Sequence, residues 1–440
     1  MGQSKSGRGR VTIYFDISAA VHRRAGLGRY AESLARALLS QLTNLPPYPS
    51  TNLPIYPSTN LPSLAFFYNR ESGIEPLSGL ETVPSHTVSL GYKPWRMLVW
   101  AGQLAHVGFN RLVPGATLFH ATEHLLLPLA GVPTVLTVHD LIFRRYPQHH
   151  KPLNRWYLNA TLPLFCRRAD HIIAVSEQTK RDVIAAYGIA PAKITVIYEA
   201  ADERFRPQPP EVVAAARSRY LLPARYLLSV GTIEPRKNLG RVLTAFERLH
   251  AERLTDAWVI VGKRGWLYDD FFARLAQSPA KHAVIFPGWV EDADLPAIYA
   301  GSQALAFPSE FEGFGLPALE AMACGAPVVC SNTSSLPEVT SPPGPLSSQE
   351  RGRTTPPPCQ GGGWGVGAAA LLVDPLDVDA LAAALRRVLS DSALAADLAQ
   401  RGLIQAARFT WAQTAQRTLA VYRDLMSGAP QAHTRIDPRP

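Results

Sequence analysis

With 440 residues, the chain exceeds what one ordinary core holds and is expected to form two domains. Its 47% hydrophobic and 18% charged residues exclude a disordered or fibrous protein, and no apolar run reaches the roughly 18 residues of a membrane span. A formal net charge of +9 points to an anionic partner, but without zinc-finger spacing or an RNP-like aromatic motif that partner is not expected to be nucleic acid.

Residues 1–10 are basic and polar with no apolar stretch behind them, so they read as a disordered N-terminus and not as a secretory signal. Val11–Ser18 is a β-branched, aromatic strand, and Tyr30–Leu39 is the helix that follows. Between them, Gly26, Gly28 and Ala31 spell a GxGxxA fingerprint. The loop before it is too long for a dinucleotide turn, and no acidic residue follows some 20 positions later, although the glycines suit close approach of a diphosphate. Residues 43–63 repeat a TNLP unit and read as a surface insertion. From His86 to Thr122 there is no Asp or Glu, while Lys93, Arg96 and Arg111 alternate with Trp95, Met97, Leu98, Trp100, Phe109 and Leu112. That stretch is either an amphipathic patch for an anionic membrane or a core helix with basic edges. Thr134–His139, His171–Val175 and Lys193–Tyr198 are strands, with a helix over Glu177–Tyr187.

A second series starts beyond a boundary near residues 203–222. Strands are expected at Tyr226–Val230, Trp258–Val261, Ala283–Phe286, Ala304–Phe307, Pro327–Cys330 and Ala370–Val373. Helices are expected at Leu239–Glu252, Asp270–Ala276, Leu295–Ala300, Pro317–Cys324, Asp379–Leu389 and Trp411–Met426. Short apolar strands alternating with helices imply parallel, doubly wound sheets. The expected domains are therefore 11–203 and 204–408, with a C-terminal helix over 409–427 and a tail over 428–440. Residues 341–367, rich in Pro, Gly and Ser, form a second insertion. The four cysteines (Cys166, Cys324, Cys330, Cys359) have no paired spacing and read as reduced packing residues.

The chemistry concentrates in Glu312–Gly313–Phe314–Gly315–Leu316–Pro317–Ala318–Leu319–Glu320. Here a strand runs into a helix; the glycines admit a ligand close to the backbone, and the helix start favours an anion. Glu312 at the loop mouth is suited to sugar hydroxyls, and Glu320 a turn further in to a ribose diol. Arg236 and Lys237 follow the strand Tyr226–Val230, at the carboxyl edge where open α/β sheets bind ligands. Together they can neutralise a leaving diphosphate, the role a metal plays elsewhere. Asp292–Ala293–Asp294 and Asp377–Val378–Asp379 resemble metal-binding triplets, but each precedes a helix and is expected to cap it. No metal is expected.

On these residues the chain resembles the family-4-like (group 1) retaining glycosyltransferases with the GT-B fold. The resemblance rests on the E-x7-E element in EGFGLPALEAMACGAPVV, together with Gly26–Tyr30 (GLGRY), His139–Leu141 (HDL), Ser176–Asp182 (SEQTKRD), Gly231–Asn238 (GTIEPRKN), Gly288–Val290 (GWV) and Leu336–Val339 (LPEV). It spans most of the chain. It implies an α/β architecture of two Rossmann-like, doubly wound domains facing an interdomain cleft, with the acceptor held by the first and the donor by the second. It also implies transfer of a sugar, mannose from GDP-mannose in the mannosyltransferase-like members, to a glycan, lipid-linked or small-molecule acceptor. His139, Arg236, Lys237 and Glu312 would then act in transfer, His139 through its ring or its backbone carbonyl. Gly26, Gly28, Val290, Gly313, Phe314, Gly315, Leu316 and Glu320 would hold the donor, with Asp140 shaping the loop. Thr232 stands where some relatives carry an arginine, which leaves Arg236 and Lys237 as the main cationic pair. A cytoplasmic location, extending to the inner face of a membrane, is expected, with no cofactor beyond the nucleotide-sugar substrate. The competing readings are a nicotinamide-dependent Rossmann oxidoreductase and a non-catalytic carbohydrate- or nucleic-acid-binding protein.

Overall fold

The computed structural model describes residues 11–43, 62–71, 74, 76–341 and 369–427. The N-terminal ten residues, most of the TNLP repeat, the second insertion with Cys359 and the tail after residue 427 lie outside the described residues.

The first unit runs β1 (Thr12–Asp16), α1 (Ser18–Val21), α2 (Ala25–Thr43), β2 (Ser63–Asn69), β3 (Ser85–Val88), α3 (Tyr92–Ala105), β4 (Leu118–Ala121), β5 (Thr134–Val138), α4 (Ile142–Arg145), α5 (Pro152–Arg168), β6 (His171–Ala174), α6 (Glu177–Tyr187) and β7 (Ile194–Val196). All its strands are parallel, in the order β3-β2-β1-β4-β5-β6-β7. The central strands are buried on both faces, which is why they read as near-continuous apolar runs such as HIIA and TVLTV. Helix α6 shows how sequence sets an element's ends. Ser176 Oγ accepts from Thr179 N at 3.1 Å at the start, and Gly188, at φ +65°, closes the other end in the left-handed region.

The chain reaches the second unit through α7 (Pro210–Arg219). It continues with β8 (Tyr226–Val230), α8 (Leu239–Ala251), β9 (Ala257–Val261), α9 (Asp269–Gln277), β10 (Val284–Ile285), α10 (Leu295–Ala300), β11 (Ala304–Phe307), α11 (Leu316–Ala323), β12 (Val328–Ser331), α12 (Leu336–Thr340), β13 (Leu371–Val373), α13 (Val378–Ser390) and α14 (Ser392–Ala406). Its parallel sheet has the order β10-β9-β8-β11-β12-β13. In both sheets the winding reverses beside the first strand, between β1 and β4 and between β8 and β11. Those reversals open the crevices where a doubly wound sheet receives ligands.

Several elements depart from the expectations. The pattern alone does not give β2, β3, β4, α5, α7 and α14, and α2 begins at Ala25, five residues before the expected start. Thr43 belongs to α2 and Ser63 to β2, so the first insertion is shorter than 43–63.

The last helix, α15 (Trp411–Met426), leaves the second unit and packs on α2 of the first. Tyr422, fully buried, meets the Nδ1 of His120 through its hydroxyl at 2.5 Å; Thr414 Oγ1 donates to the Tyr198 carbonyl at 2.8 Å. His120 sits in β4 with its other nitrogen 2.8 Å from Thr137 Oγ1, and burial lowers its pKa to about 3, so it stays neutral. One apolar cluster accordingly runs through both units, from Ile13 and Leu34 to Leu305 and Tyr422. Replacing Tyr422 by Ala should cost roughly 3 kcal/mol, by cavity formation and by stranding the His120 nitrogen. A thermal melt reads this directly, and an unchanged midpoint would show that α15 does not clamp the two units.

Candidate active site

The second unit's crevice is built where β8 and β11 end. After β8, Gly231 lies at φ +136° and passes so close to Gly262 that a Cβ on Gly262 would stand 1.9 Å from the Gly231 carbonyl oxygen. This crossing turns the chain into the Pro235–Lys237 turn, whose next residue, Asn238, donates through Nδ2 to the Pro308 carbonyl at 3.1 Å. The turn is thereby fastened to the loop after β11, and the two loops meet through charge. Lys237 Nζ lies 2.6 Å from Glu312 Oε1, and Arg236 Nη1 lies 2.7 Å from Glu312 Oε2. Arg236 also donates to the Phe311 carbonyl at 2.8 Å and pairs with Glu234. All four charged groups are nearly out of water.

Burial opposes the charge on each of them, and the outcome depends on the partners. Burial would raise the Glu312 pKa, but Arg236 and Lys237 hold it down at about 2. Burial lowers Lys237 despite Glu312, while Arg236 is raised by Glu312 and Glu234 against its own desolvation. Arg236, Lys237 and Glu312, named from sequence for the transfer step, are thus brought together. Both Glu312 oxygens are held by the two cations, and the cations in turn are neutralised.

The following loop is shaped by contact with the first unit. A Cβ on Gly313 would fall 2.2 Å from the His139 carbonyl oxygen, so only glycine permits this approach. Gly315, at φ +106°, is the N-cap of α11, and a Cβ there would meet Leu336 at 2.6 Å. Leu316 opens α11, with Pro317 in its first turn as expected. Ser335 Oγ ties the loop by donating to the carbonyls of Glu312 (3.0 Å) and Phe314 (2.8 Å). The Phe314 ring is buried between Tyr198 and Phe409, at 6.0 and 5.8 Å, which leaves its backbone as the part that borders the crevice.

Glu320 is 2% exposed and saturated: Arg29 Nη1 donates to Oε1 and the Tyr299 hydroxyl to Oε2, each at 2.8 Å. Arg29 belongs to α2 of the first unit, so this pair crosses the cleft. Gly26 and Gly28 lie in the first turns of α2 and not in a loop. Gly28 N already donates to the Arg24 carbonyl, and a Cβ on Gly28 would meet the Ala19 carbonyl at 2.9 Å; its small size serves the packing of α2 on α1. Gly26 has open space above it. Val290 is half-buried and packs against the core beside the exposed Trp289. Asp292 pairs with Arg29 at 3.1 Å. Asp294 heads α10 without a side-chain cap, because Arg219 and the Tyr220 hydroxyl take its carboxylate at 2.8 and 2.7 Å. The expected capping by that triplet is therefore corrected. Asp377 does cap α13, accepting from Ala380 N at 2.8 Å.

On the first unit's side, His139 follows β5 with both ring nitrogens engaged: Nε2 at 2.9 Å from the Thr122 carbonyl and Nδ1 at 3.1 Å from Glu199. Burial would lower its pKa, but the Glu199 carboxylate and the Thr122 carbonyl outweigh it and raise the value. The ring is a doubly donating support, and its carbonyl is the atom that reaches Gly313. Asp140 shapes the loop as expected, accepting from Ile142 N at 3.0 Å. Further buried charged groups stand here that the sequence patterns do not single out. Asp16 ends β1 and Glu123 follows β4, at the other crevice; burial and Glu123 push the Asp16 carboxyl up to about 7, and Arg24 pairs with Glu123 at 2.5 Å. Glu338 of α12 reaches across the cleft to the backbone amides of Glu177 (2.9 Å) and Gln178 (3.1 Å) at the start of α6. Glu199, Asp16 and Glu123 all stand at strand carboxyl ends, a signal that was available; Arg29 and Glu338 act through contacts distant in sequence, which was not.

Because the Gly313 contact is backbone against backbone, Gly313→Ala must push the units apart. Sugar transfer by this variant should fall at least tenfold while its thermal midpoint stays near that of the parent. Parental turnover would mean that the His139 carbonyl and the loop do not stay this close in the working enzyme.

Comparison with known proteins agrees with this geometry. The model for glycosyl transferases group 1 matches residues 217–343, and that for Glycosyltransferase Family 4 matches residues 63–205. The O-antigen chain mannosyltransferase B of Escherichia coli is 32% identical over 291 residues, covering 66% of this chain and 70% of that protein. The serotype-specific mannosyltransferase WbdA of the same organism is 31% identical over 313 residues, covering 69% of this chain; this chain spans about a third of it (35%). Among solved structures, sucrose-phosphate synthase from Thermosynechococcus elongatus superposes with a TM-score of 0.70 at 19% identity, over 95% of this chain and 100% of that one. HepE of Anabaena in complex with UDP-glucose gives 0.66 at 18% identity, over 94% and 100%. These matches leave the oxidoreductase and non-catalytic readings without support. The two parallel sheets, their facing crevices and the relatives agree: the chain belongs to the group 1, family 4 glycosyltransferases and is a sugar transferase of the GT-B fold.

Proposed function

We propose that the chain transfers mannose from GDP-mannose, with retention of configuration and without a metal ion, to a glycan or lipid-linked acceptor. The observation that carries this reading is the buried Arg236–Lys237–Glu312 cluster at the β8/β11 crevice, facing the His139 carbonyl across Gly313. The mannosyltransferase relatives support the choice of sugar. In this reading Glu320 holds the ribose diol, and Glu312 and the His139 carbonyl orient the sugar. Arg236 and Lys237 shift toward the diphosphate as charge develops on it. The bond from the anomeric carbon to the phosphate oxygen breaks while the acceptor oxygen attacks the same face. The leaving phosphate takes the acceptor hydroxyl proton, so no protein nucleophile is needed. Closure of the cleft excludes water that would otherwise hydrolyse the donor. The crevice of Asp16 and Glu123 then belongs to the acceptor. A melting panel of GDP-, UDP- and ADP-sugars in EDTA tests the donor. GDP-mannose near a hundred times its Kd should add roughly 2.7 kcal/mol, and transfer should persist with the chelator. Stabilisation by a UDP-sugar alone would overturn the donor; activity restored only by added Mn²⁺ would overturn the metal-free scheme.

The same reading includes peripheral contact with an anionic membrane. Among the described residues no helix is long and apolar enough to cross one. Helix α3 instead combines both expectations for its stretch: Trp95 and Val99 are buried, while Met97, Leu98 and Leu104 are exposed. Helix α5 adds Leu153 and Trp156, 77% and 55% exposed, and Trp156 meets Trp100 edge-on at 5.5 Å, joining the two helices. No Asp or Glu occurs between residues 86 and 122 or between 141 and 169, whereas Lys93, Lys151 and Arg155 are exposed there. An apolar ridge with a basic border suits the headgroup region of an anionic bilayer. Cosedimentation with phosphatidylglycerol vesicles, weak with phosphatidylcholine and lost in a Leu153→Ser, Trp156→Ser variant, is expected. Equal binding to both lipids would contradict an electrostatic anchor.

A further inference from the structure

The charges at the donor crevice do not add up to an anion-binding site from the second unit alone. Arg236 and Lys237 supply two positive charges, and Glu234 and Glu312, both in direct contact with them, supply two negative ones. Asp140 also faces Arg236 from the first unit, and Thr232 contributes no charge. A nucleoside diphosphate sugar carries one negative charge on each phosphate, and in a site shielded from water a neutral cradle leaves much of that charge uncompensated. Arg29 is the cation placed to supply the difference. It stands in the first turns of α2, bridges the cleft to Glu320 and Asp292, and keeps 38% of its side chain exposed. Its other neighbours are the ring of Phe205 at 6.0 Å and the Asp202–Arg204 pair. Each Glu320 oxygen already has one donor, Arg29 on Oε1 and Tyr299 on Oε2. If ribose hydroxyls take Glu320, a step that rests on the function proposed for that residue, they compete with Arg29 for Oε1.

We infer that Arg29 is a donor-binding residue delivered across the cleft: on nucleotide binding it exchanges the Glu320 carboxylate for the phosphates of the same nucleoside diphosphate. The exchange conserves hydrogen bonding at both ends and moves the charge pairing of Arg29 from Glu320 to the phosphates. The ribose hydroxyls donate to Glu320 where the guanidinium did, and the guanidinium finds two phosphate oxygens in the fork geometry it prefers. It also couples the first unit to the presence of donor, because α2 carries the arginine.

Titration calorimetry of the full chain with GDP, UDP and ADP, and with the corresponding nucleosides, tests this. Arg29→Ala should weaken binding of the preferred diphosphate at least tenfold without weakening its nucleoside, and Arg29→Lys should recover part of the loss. The diphosphate affinity of the parent should fall more steeply with salt than that of Arg29→Ala. If Arg29 were only a latch competing for Glu320, Arg29→Ala would bind the diphosphate more tightly; that result, or unchanged affinity in a variant that melts like the parent, overturns the inference. Glu320→Gln separates it from the underlying reading. Loss of nucleoside and diphosphate affinity alike supports the ribose contact on which the inference rests, whereas unaltered affinity removes the ribose role itself.

Discussion

The structure turns on a buried ion cluster. Glu234, Arg236, Lys237 and Glu312 are withdrawn from water together, and each alone would be strongly disfavoured there. Their mutual pairing is what allows a charged site to persist in a closed crevice, and the surrounding backbone is arranged to keep it in register. The Gly231–Gly262 crossing aims the turn after β8, Asn238 fastens that turn to the loop after β11, and Ser335 holds the loop that carries Glu312. Removing Glu312 would leave Lys237 buried without its ion-pair partner, so the cluster constrains the fold as much as the fold positions the cluster.

The first unit is held against this cluster by polar contacts that share a logic: backbone groups left open at the end of an element are met from across the cleft. Glu338 accepts from the first amides of α6, and the Trp266 indole donates to the His149 carbonyl at 2.7 Å. Thr179, inside α6, donates to the His139 carbonyl at 2.9 Å, next to Gly313. Helix α15 adds the apolar part of the joint.

Legibility from sequence followed the range of the interactions involved. The strands β8 and β11 and the helices α6, α10 and α15 have bounds that match the pattern residue for residue, because apolar runs and caps such as Ser176 are local. The loop Glu312–Leu316 was readable for the same reason: glycine, a helix start and a flanking carboxylate lie within a few positions. Strand β4 was not readable, since LFHA places a histidine inside a buried strand that is tolerable only because Tyr422 and Thr137 satisfy it from afar. Helix α5 hides behind Pro163 in its interior. The packing of the Phe314 ring between Tyr198 and Phe409 is not legible from the motif, because both partners are distant in sequence. The counter-charge of Glu320, Arg29, is brought in by tertiary folding and leaves no local trace.

Such counter-charges change how the site's affinity is to be understood. Neither glutamate of the E-x7-E element waits with free oxygens: Glu312 is held by Arg236 and Lys237, and Glu320 by Arg29 and Tyr299. If a donor takes these glutamates as proposed, it binds by exchange, and its affinity is the difference between the contacts it makes and the ion pairs it displaces. Such a site discriminates sharply, because a ligand lacking a hydroxyl or a phosphate must break a buried pair and leave one member uncompensated. In the proposed scheme the exchange also places the largest electrostatic change at the moment the phosphates arrive beside Arg236 and Lys237, where cations released from Glu312 are most useful to a departing diphosphate.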